Sequence, residues 1–390
     1  MLSNKSRACP ICSCLEKVLL FRQKFSDKTI FLMDGYDVVV CDKCGFVFAD
    51  GIPLQADFDG YYAAMSKYEF SYQGGRVSKE YVDYFTKIFN FLAPRVQNKN
   101  AKILDIGCST GSLLSIFKLN GYSNIFGIDP SSECSKTAKE LYDITVTTDT
   151  VYNFNSIEKF DLIILSAVLE HLVDFDYSMQ KIRSLLNENG LLFIAVPNAE
   201  KFSLFVSAPF QQFSTEHINY FSRYSIKNLL SRFSFEEIAV RQDEHKLNNA
   251  VDTEILSLSK KTAEETLKIV RDDISEPRVR EYITKCLAMD LTLNQIIQEK
   301  LSGKDKIIIW GVGTHTQRLI GSGLDLSKIL FFVDSNKRYA GKKIKGLEVK
   351  PPEAIKEGVP VFISSHSYQE EIIHQIREVL KLNNEIITLY

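Results

Sequence analysis

The stretch ILDIGCSTG, residues 103–111, decides the fold of this chain. Its first apolar residues predict a strand, and its glycines predict a tight turn that leads into a helix. Asp105 comes near the end of the strand, and Gly107 and Gly111 let a ligand approach the backbone closely. Asp129 ends the next apolar run, about twenty residues after the turn, where an acidic residue can bind the hydroxyls of an adenosine ribose. The spacing predicts a Rossmann-like nucleoside site.

Two kinds of cofactor fit this turn, a dinucleotide and S-adenosylmethionine. A dinucleotide needs room for a pyrophosphate, and the carboxylate of Asp105 would stand where that anion belongs. A carboxylate at this place suits the cationic methionine end of S-adenosylmethionine instead. The residues therefore favour S-adenosylmethionine as the cofactor.

Two C-x-x-C pairs stand near the start of the chain. The two-residue spacing lets both sulfurs of a pair reach one ion, and four thiolates bind Zn²⁺ tetrahedrally. Four thiolates leave no open coordination position, so the predicted role of the zinc is structural. Cys14 is a spare thiol or a replacement for Cys12, and a set of unrelated buried cysteines is the alternative to a metal site. The predicted zinc ligands are Cys9, Cys12, Cys41 and Cys44.

Strand-like and helical segments alternate along the rest of the chain. Four apolar runs between residues 102 and 196 are separated by helical patterns, which predicts an α/β domain with a parallel sheet and helices on both faces. A second alternation begins at residue 306, and the polar segment before it is helical in period. The predicted units are a zinc-binding module (1–75), an S-adenosylmethionine-binding domain (76–250), a helical connector (251–301) and a C-terminal Rossmann-like α/β domain (302–390).

Charge and hydropathy exclude some classes of partner. The formal net charge of −2 over 390 residues provides no basic field for a polyanion, which disfavours a nucleic-acid partner. No run approaches the ~18 apolar residues of a membrane helix, and no export signal precedes the cysteines. We expect a cytoplasmic protein that binds neither nucleic acid nor a membrane.

The segment FSTEHINYFS, residues 213–222, carries a histidine beside a carboxylate. A histidine near the cofactor can act as a general base near neutral pH, and most methyl acceptors lose a proton as they react. Glu216 and His217 are therefore the predicted catalytic residues, with a hydrogen-bonded structural histidine as the alternative. Glu170 and His171 end the fourth predicted strand, and they either face the ligand or only start a helix.

The glycine turn, with FDLIIL at 160–165 and SAVLEH at 166–171, resembles the class I S-adenosylmethionine-dependent methyltransferases. The resemblance covers about residues 76–250, and a Rossmann-like domain without a cofactor is the alternative. The cofactor-binding residues that the resemblance implies are Asp105, Gly107 and Gly111 at the methionine end, Asp129 at the ribose and Asp149 at the adenine.

The order of the segments resembles one group of these enzymes, the zinc-containing nucleotide-sugar C-3 methyltransferases of deoxysugar pathways. The resemblance implies that His217 removes a proton next to a 4-keto group, that Glu216 lies beside it in the active site, and that the enolate carbon takes the methyl group. It implies a small-molecule acceptor, a nucleotide-linked sugar. It also implies an active-site tyrosine from the N-terminal region, which is Tyr61, Tyr62 or Tyr68.

Two departures from that group leave the acceptor open. Ser214 and Thr215 stand where the group usually has a tyrosine and a histidine, and the C-terminal glycine turn, 311–318, lacks the usual lysine. The alternatives are a sugar O-methyltransferase, a zinc-containing RNA-modifying or RNA-binding protein and a non-catalytic assembly protein. The sugar, its nucleotide and the oligomeric state stay open.

The C-terminal glycine turn is expected to hold the nucleotide or phosphate of the acceptor through its backbone N–H groups. Asp334 ends the following strand, but Thr316 replaces the third glycine of the dinucleotide fingerprint. His315 and His366 are expected to add contacts there, and a purely structural domain is the alternative.

Overall fold

The computed structural model describes residues 6–26, 32–65, 76–247, 250–263 and 269–389. Within them the chain forms a four-stranded, a seven-stranded and a six-stranded sheet, with helices between and around the sheets. Tyr68, one of the three candidate active-site tyrosines, lies outside the described residues.

The N-terminal sheet is antiparallel and borrows one strand from the centre of the chain. Its strand order is β1-β2-β3-β9. Because β9 begins two residues after His217, the predicted module at 1–75 shares its sheet with the segment that carries the Glu216–His217 pair. The elements are Lys17–Lys24 (β1), Gly35–Cys41 (β2), Val47–Asp50 (β3), Asn219–Tyr220 (β9) and the helix Gln55–Met65 (α1).

The central domain is a layered α/β unit. Its helices are Lys79–Leu92 (α2), Ser112–Leu119 (α3), Ser132–Tyr142 (α4), Phe175–Leu185 (α5) and Arg223–Arg232 (α6). Its strands are Ile103–Ile106 (β4), Ile125–Asp129 (β5), Val146–Thr148 (β6), Phe160–Ser166 (β7), Leu186–Pro197 (β8), Phe235–Leu247 (β10) and Ala250–Lys261 (β11).

The seven-stranded sheet confirms the predicted mixed α/β, Rossmann-like fold. Its order is β10-β11-β8-β7-β4-β5-β6, and the strands from β8 to β6 run parallel. Neighbouring side chains on a strand point to opposite faces, so Ile164 packs with α2 and α3 while Leu165 packs with α5 and α6. Burial on both faces explains why these strands are continuous apolar runs in the sequence.

The predicted helical connector at 251–301 is wrong over its first part. Residues 250–261 are strand β11, which pairs antiparallel with β8 on one side and β10 on the other. Ile255, Leu256 and Leu258 are fully buried on the two faces of the sheet. Two serines, Ser257 and Ser259, alternate with these apolar residues and are also buried. The hydroxyl of Ser259 donates to the carbonyl oxygen of Leu192 at 3.3 Å. Pairing inside the sheet outweighed the helical period, and Ser275–Lys300 (α7) is the one connecting helix among the described residues of this segment.

The C-terminal domain is built on the six-stranded sheet, which has parallel strands at its centre. Its order is β14-β15-β13-β12-β16-β17, with β12 between two parallel neighbours. No helix in the described part of the chain is long and apolar enough to cross a membrane. The elements are Ile307–Trp310 (β12), Thr314–Gly321 (α8), Ile329–Val333 (β13), Lys343–Ile344 (β14), Leu347–Lys350 (β15), Val361–Ile363 (β16), Gln369–His374 (α9) and Ile386–Thr388 (β17).

Candidate active site

A cavity of about 870 Å³ lies at the carboxyl ends of the central strands. Its walls come from the turn after β4, the helix α1, the segment with the Glu-His pair and the glycine turn of the C-terminal domain. Open α/β sheets bind their ligands at this edge. The sheet topology therefore brings segments that are far apart in the sequence to one cavity.

At one position, the turn after β4 packs so closely against its surroundings that it requires glycine. Gly107 has φ +70°, and a Cβ there would lie 2.7 Å from Cγ2 of Val168. Asp105 is buried beside this turn, where burial and the nearby charge of Asp129 raise its pKa well above the ordinary value. Two carboxylates in one buried space are suited to a cationic ligand.

The other predicted cofactor residues surround the same turn, with one exception. Asp129 accepts the N–H groups of Ser109 and Ser131, each at 2.9 Å, and Asp149 follows β6 at the rim. Gly111 begins α3 behind the turn instead of lining the cavity, and a Cβ there would lie 3.4 Å from Cβ of Ala138. The structure thus brings four of the five predicted residues to the cavity wall.

The Glu-His pair lines the cavity beside the carboxyl end of β7, where Glu216 contacts His171. The hydroxyl of Tyr61 donates to Oε1 of Glu216 at 3.1 Å. Burial and the charge of Glu216 raise the pKa of Tyr61 well above its ordinary value, so this hydroxyl stays protonated. Oγ of Ser214 accepts the backbone N–H groups of Glu216 and His217 at 3.2 and 3.0 Å. Ser214, a departure from the resembled group, thus shapes the turn that presents the pair.

His171 joins the pair through its ring. Nδ1 of His171 lies 3.0 Å from the hydroxyl of Tyr62 and 3.0 Å from the carbonyl oxygen of Glu216. Because a carbonyl oxygen only accepts, we assign the proton to Nδ1. The rings of His171 and His217 are 5.1 Å apart, and donor atoms of Glu170, His171 and His217 lie within 4.8 Å of one another, a spacing that can hold a metal ion. Tyr61 and Tyr62 both reach the site.

A polar group on β10 and β11 also lines the cavity, and the sequence analysis missed it. It consists of His245, Asp252 and Glu254, with Tyr84 from α2 behind them. Asp252 and Glu254 were hidden in the segment that was predicted to be a helix. The sequence offered one signal, the rarity of histidine. The chain has six histidines, and five of them line this cavity.

The C-terminal glycine turn faces the same cavity. Asp334 accepts the N–H of Val312 at 3.0 Å and the N–H of Asn336 at 2.8 Å, so it fixes the turn after β12. His315 lies partly buried at the start of α8, and burial together with the charge of Arg318 lowers its pKa to about 3, so its ring is neutral. His366 lines the cavity nearby, and burial lowers its pKa as well.

The four predicted metal ligands form a separate cluster. Sγ of Cys9 lies 3.5 Å from Sγ of Cys44, Sγ of Cys12 lies 3.5 Å from Sγ of Cys41, and all four sulfurs are within 4.8 Å of one another. Cys14 turns away and its thiol donates to Oε2 of Glu16 at 3.0 Å. Cys12, and not Cys14, therefore lies with the other three sulfurs.

Two family models match this chain. Residues 78–240 match a family described as a methyltransferase domain, and residues 303–387 match one described as C2185-like, N-terminal. The first match contains the glycine turn, the acidic strand ends and the Glu-His pair. This part of the chain is a methyltransferase domain with the class I S-adenosylmethionine-dependent fold.

Curated relatives match a shorter stretch. A ubiquinone biosynthesis O-methyltransferase of Pelagibacter ubique is 33% identical over 105 residues, which are 26% of this chain and 43% of that protein. The mitochondrial protein of the same name from Homo sapiens is 31% identical over 121 residues, 28% of this chain and 32% of that protein. The chain spans less than half the length of these relatives.

Solved structures are also similar to this chain. Magnesium protoporphyrin IX methyltransferase of Synechocystis PCC 6803 is 15% identical, with coverage of 53% of this chain and 99% of that one and a TM-score of 0.41. The 1,6-didemethyltoxoflavin-N1-methyltransferase of Burkholderia thailandensis is 16% identical, with coverage of 57% and 96% and a TM-score of 0.40.

Asp105→Asn should stabilise the ligand-free protein at high pH. The pKa of Asp105 is raised in the folded chain, so the folded chain keeps a proton that the unfolded chain releases above pH ~4. Native stability therefore falls as the pH rises from about 4 towards the raised pKa. The asparagine side chain does not titrate, so the variant does not lose this stability as the pH rises. It should therefore unfold at a higher temperature than the wild type at pH 8 and at a similar temperature at pH 4. Thermal unfolding at both pH values measures this.

The control is Asp305→Asn, which changes an exposed carboxylate far from the cavity. It should follow the wild type at both pH values. A lower unfolding temperature for Asp105→Asn at pH 8 would show that the Asp105 carboxylate stabilises the free protein and would contradict the assignment.

Proposed function

We propose that the whole chain is an S-adenosylmethionine-dependent methyltransferase that acts on a small, nucleotide-linked sugar at a carbon next to a keto group. The observation that carries the proposal is one cavity shared by the Asp105–Asp129 turn, the Glu216–His217 pair and the C-terminal glycine turn. Each segment supplies one requirement of the reaction: a cofactor site, a base and a surface for the acceptor.

The residues at the β4 turn fit the cofactor. The buried carboxylate of Asp105 suits the ammonium group at the methionine end, and Gly107 lets the turn pack closely against Val168 beside it. Asp129 is placed for the ribose hydroxyls and Asp149 for the adenine, both at strand ends. When bound, S-adenosylmethionine supplies an electrophilic methyl group.

The chain itself supplies the proton transfer. We assign to His217 the removal of a proton from the carbon next to the keto group, which leaves the electron pair on the acceptor as an enolate. Tyr61 holds the carboxylate of Glu216 beside this position, and the carbonyl oxygen of Glu216 orients His171. The acceptor's nucleotide or phosphate is assigned to the backbone N–H groups of residues 313–316, because the N–H groups of Gly311 and Val312 already donate to Val333 and Asp334.

Methyl transfer to oxygen is the second candidate. The relatives from Pelagibacter ubique and Homo sapiens are both named O-methyltransferases. In that reaction the same base would remove a proton from a hydroxyl group of the acceptor. Ser214 and Thr215, which stand where the C-3 methyltransferases usually have a tyrosine and a histidine, also favour this candidate.

We further propose that the cysteine cluster binds one structural Zn²⁺. A tetrahedron with Zn–S bonds of about 2.3 Å has its sulfurs about 3.8 Å apart, which is close to the two 3.5 Å pairs. The donor set is four thiols with Cys9, Cys41 and Cys44 buried, which leaves no position for a reacting molecule. Such an ion would stabilise the fold and take no part in methyl transfer.

Asp129→Ala should weaken the binding of S-adenosylmethionine at least tenfold. The substitution removes two charged hydrogen bonds to the ribose, each worth about 1.5–3 kcal/mol, and it also leaves the turn N–H groups without their acceptor. Isothermal titration calorimetry measures the affinity. Glu140→Ala, an exposed carboxylate on α4, is the control and should bind as the wild type does. Unchanged affinity in Asp129→Ala would refute the cofactor assignment.

One equivalent of zinc should copurify with the chain. Cys41→Ser should lose the metal and unfold at a lower temperature, because it removes one of four ligands. Cys14→Ser is the matched control, since the thiol of Cys14 points to Glu16, and it should keep its zinc. Elemental analysis of protein purified without added zinc measures the content. A fully folded protein without zinc would rule out the site.

His217→Ala should lower turnover about a hundredfold or more while the affinity for S-adenosylmethionine stays within twofold. His374→Ala, which changes an exposed histidine on α9, is the control. In D₂O without a methyl donor, the wild type should exchange the proton next to the keto group of the sugar, and His217→Ala should not. Full methyl transfer by the variant would exclude His217 as the base, and a product methylated on oxygen would favour the second candidate.

A further inference from the structure

The strongest unassigned feature is the polar group on β10 and β11, here named the His245 cluster (Tyr84, His245, Asp252 and Glu254). His245 and Asp252 are cross-strand partners on the antiparallel pair β10–β11. The hydroxyl of Tyr84 donates to Oε2 of Glu254 at 2.8 Å, and both residues are buried. All four residues line the cavity, and none has a role in the cofactor site or in the proton transfer.

The ring of His245 is held from two sides. Its side chain is only 9% exposed, Nδ1 lies 3.5 Å from Oε1 of Glu254, and the ring centre lies 4.6 Å from that of Tyr84. Nδ1 is buried and makes no hydrogen bond among the described residues. Because Nδ1 faces the carboxylate of Glu254, Nε2 is the ring nitrogen that can meet a ligand in the cavity that His245 lines.

The position of the cluster separates it from the cofactor. Asp105, Asp129 and Asp149 lie on the β4, β5 and β6 side of the sheet. Glu254 pairs with Pro197 at the end of β8, on the opposite side of β7. The catalytic pair lies between these two regions, because His171 follows β7 and contacts Glu216. The cluster therefore belongs to the half of the cavity that is left for the acceptor.

The C-terminal domain covers this half. His366 lies close enough for its charge to act on Asp252, and Nε2 of Gln212 donates to Oδ1 of Asp252 at 3.3 Å. Gln212, Asp252 and His366 thus add hydrogen-bonding groups to the cavity that His245 lines. A ligand that is rich in oxygen atoms matches such a lining better than an apolar one does.

We propose that His245 is an acceptor-binding residue whose ring hydrogen-bonds an oxygen atom of the acceptor's sugar. Glu254 and Tyr84 are positioning residues that fix the orientation of the ring. The inference rests on the proposed function and adds to it a residue that selects the acceptor. A side chain that binds the acceptor alone should change the affinity for the acceptor and leave the affinity for the cofactor unchanged.

The test uses calorimetry on the full chain saturated with S-adenosylhomocysteine, with dTDP-4-keto-6-deoxyglucose as the probe. His245→Phe keeps a ring against Tyr84 but removes the hydrogen bond, and it should weaken probe binding at least tenfold. His245→Gln restores a polar group and should recover most of that loss. Lys246→Gln, an exposed neighbour on the same strand, is the control and should bind the probe as the wild type does. The affinity for S-adenosylhomocysteine should be unchanged in all three variants.

Where turnover is observed, His245→Phe should raise KM for the sugar more than it lowers kcat, in contrast to His217→Ala. Probe binding by His245→Phe at the wild-type affinity would overturn the inference while the proposed function stands. A parallel loss of affinity for S-adenosylhomocysteine would overturn it too, because it would show a structural role. If the wild type binds S-adenosylhomocysteine but not the probe, the proposed acceptor class fails and the inference falls with it.

Discussion

The carboxylate of Asp129 is the contact on which the rest of the site depends. It accepts one N–H from the turn after β4, at Ser109, and one from the residue two positions after itself. Asp334 does the same in the C-terminal domain, with Val312 in the turn after β12. Each carboxylate holds a glycine turn at a strand end, and both turns face one cavity. The same local interaction, used twice, thus builds two parts of the cavity wall.

The second cysteine pair is hydrogen-bonded to the segment from which α7 begins. Gly45 has φ +76°, and a Cβ there would lie 2.0 Å from the carbonyl oxygen of Asp272. Asp272 donates its N–H to the carbonyl oxygen of Cys44 at 2.9 Å, and its side chain accepts the N–H of Ser275 at the start of α7. The cysteine turn and the beginning of the helix that leads to the C-terminal domain are therefore fixed by the same residue, Asp272.

The sequence predicted the parts whose signal is local. The β4 turn, Asp129 and the C-x-x-C pairs were predicted because a glycine, a strand end or a two-residue spacing identifies each one. Strand β11 was missed because its buried serines read as polar, and its extended shape comes from pairing with β8 and β10 far along the chain. His245 was missed with it, since only that pairing brings β10 to the cavity. The contacts of Tyr61 and Tyr62 likewise depend on tertiary structure, which no local pattern encodes.

The charge of the cavity limits how an acceptor can bind. Ten carboxylates and two arginines line it among the described residues. One of these arginines, Arg318, pairs with Asp290 at 2.5 Å and lies over the ring of Phe210, so its charge is already compensated. Such a lining attracts a sulfonium and an ammonium group, and it repels a diphosphate unless a cation or an N–H donor meets the diphosphate. Arg76 is the second arginine of the lining, and the N-terminus of α8 adds partial positive charge without a lysine. Because Arg318 is already paired, an anionic acceptor would depend on these two features.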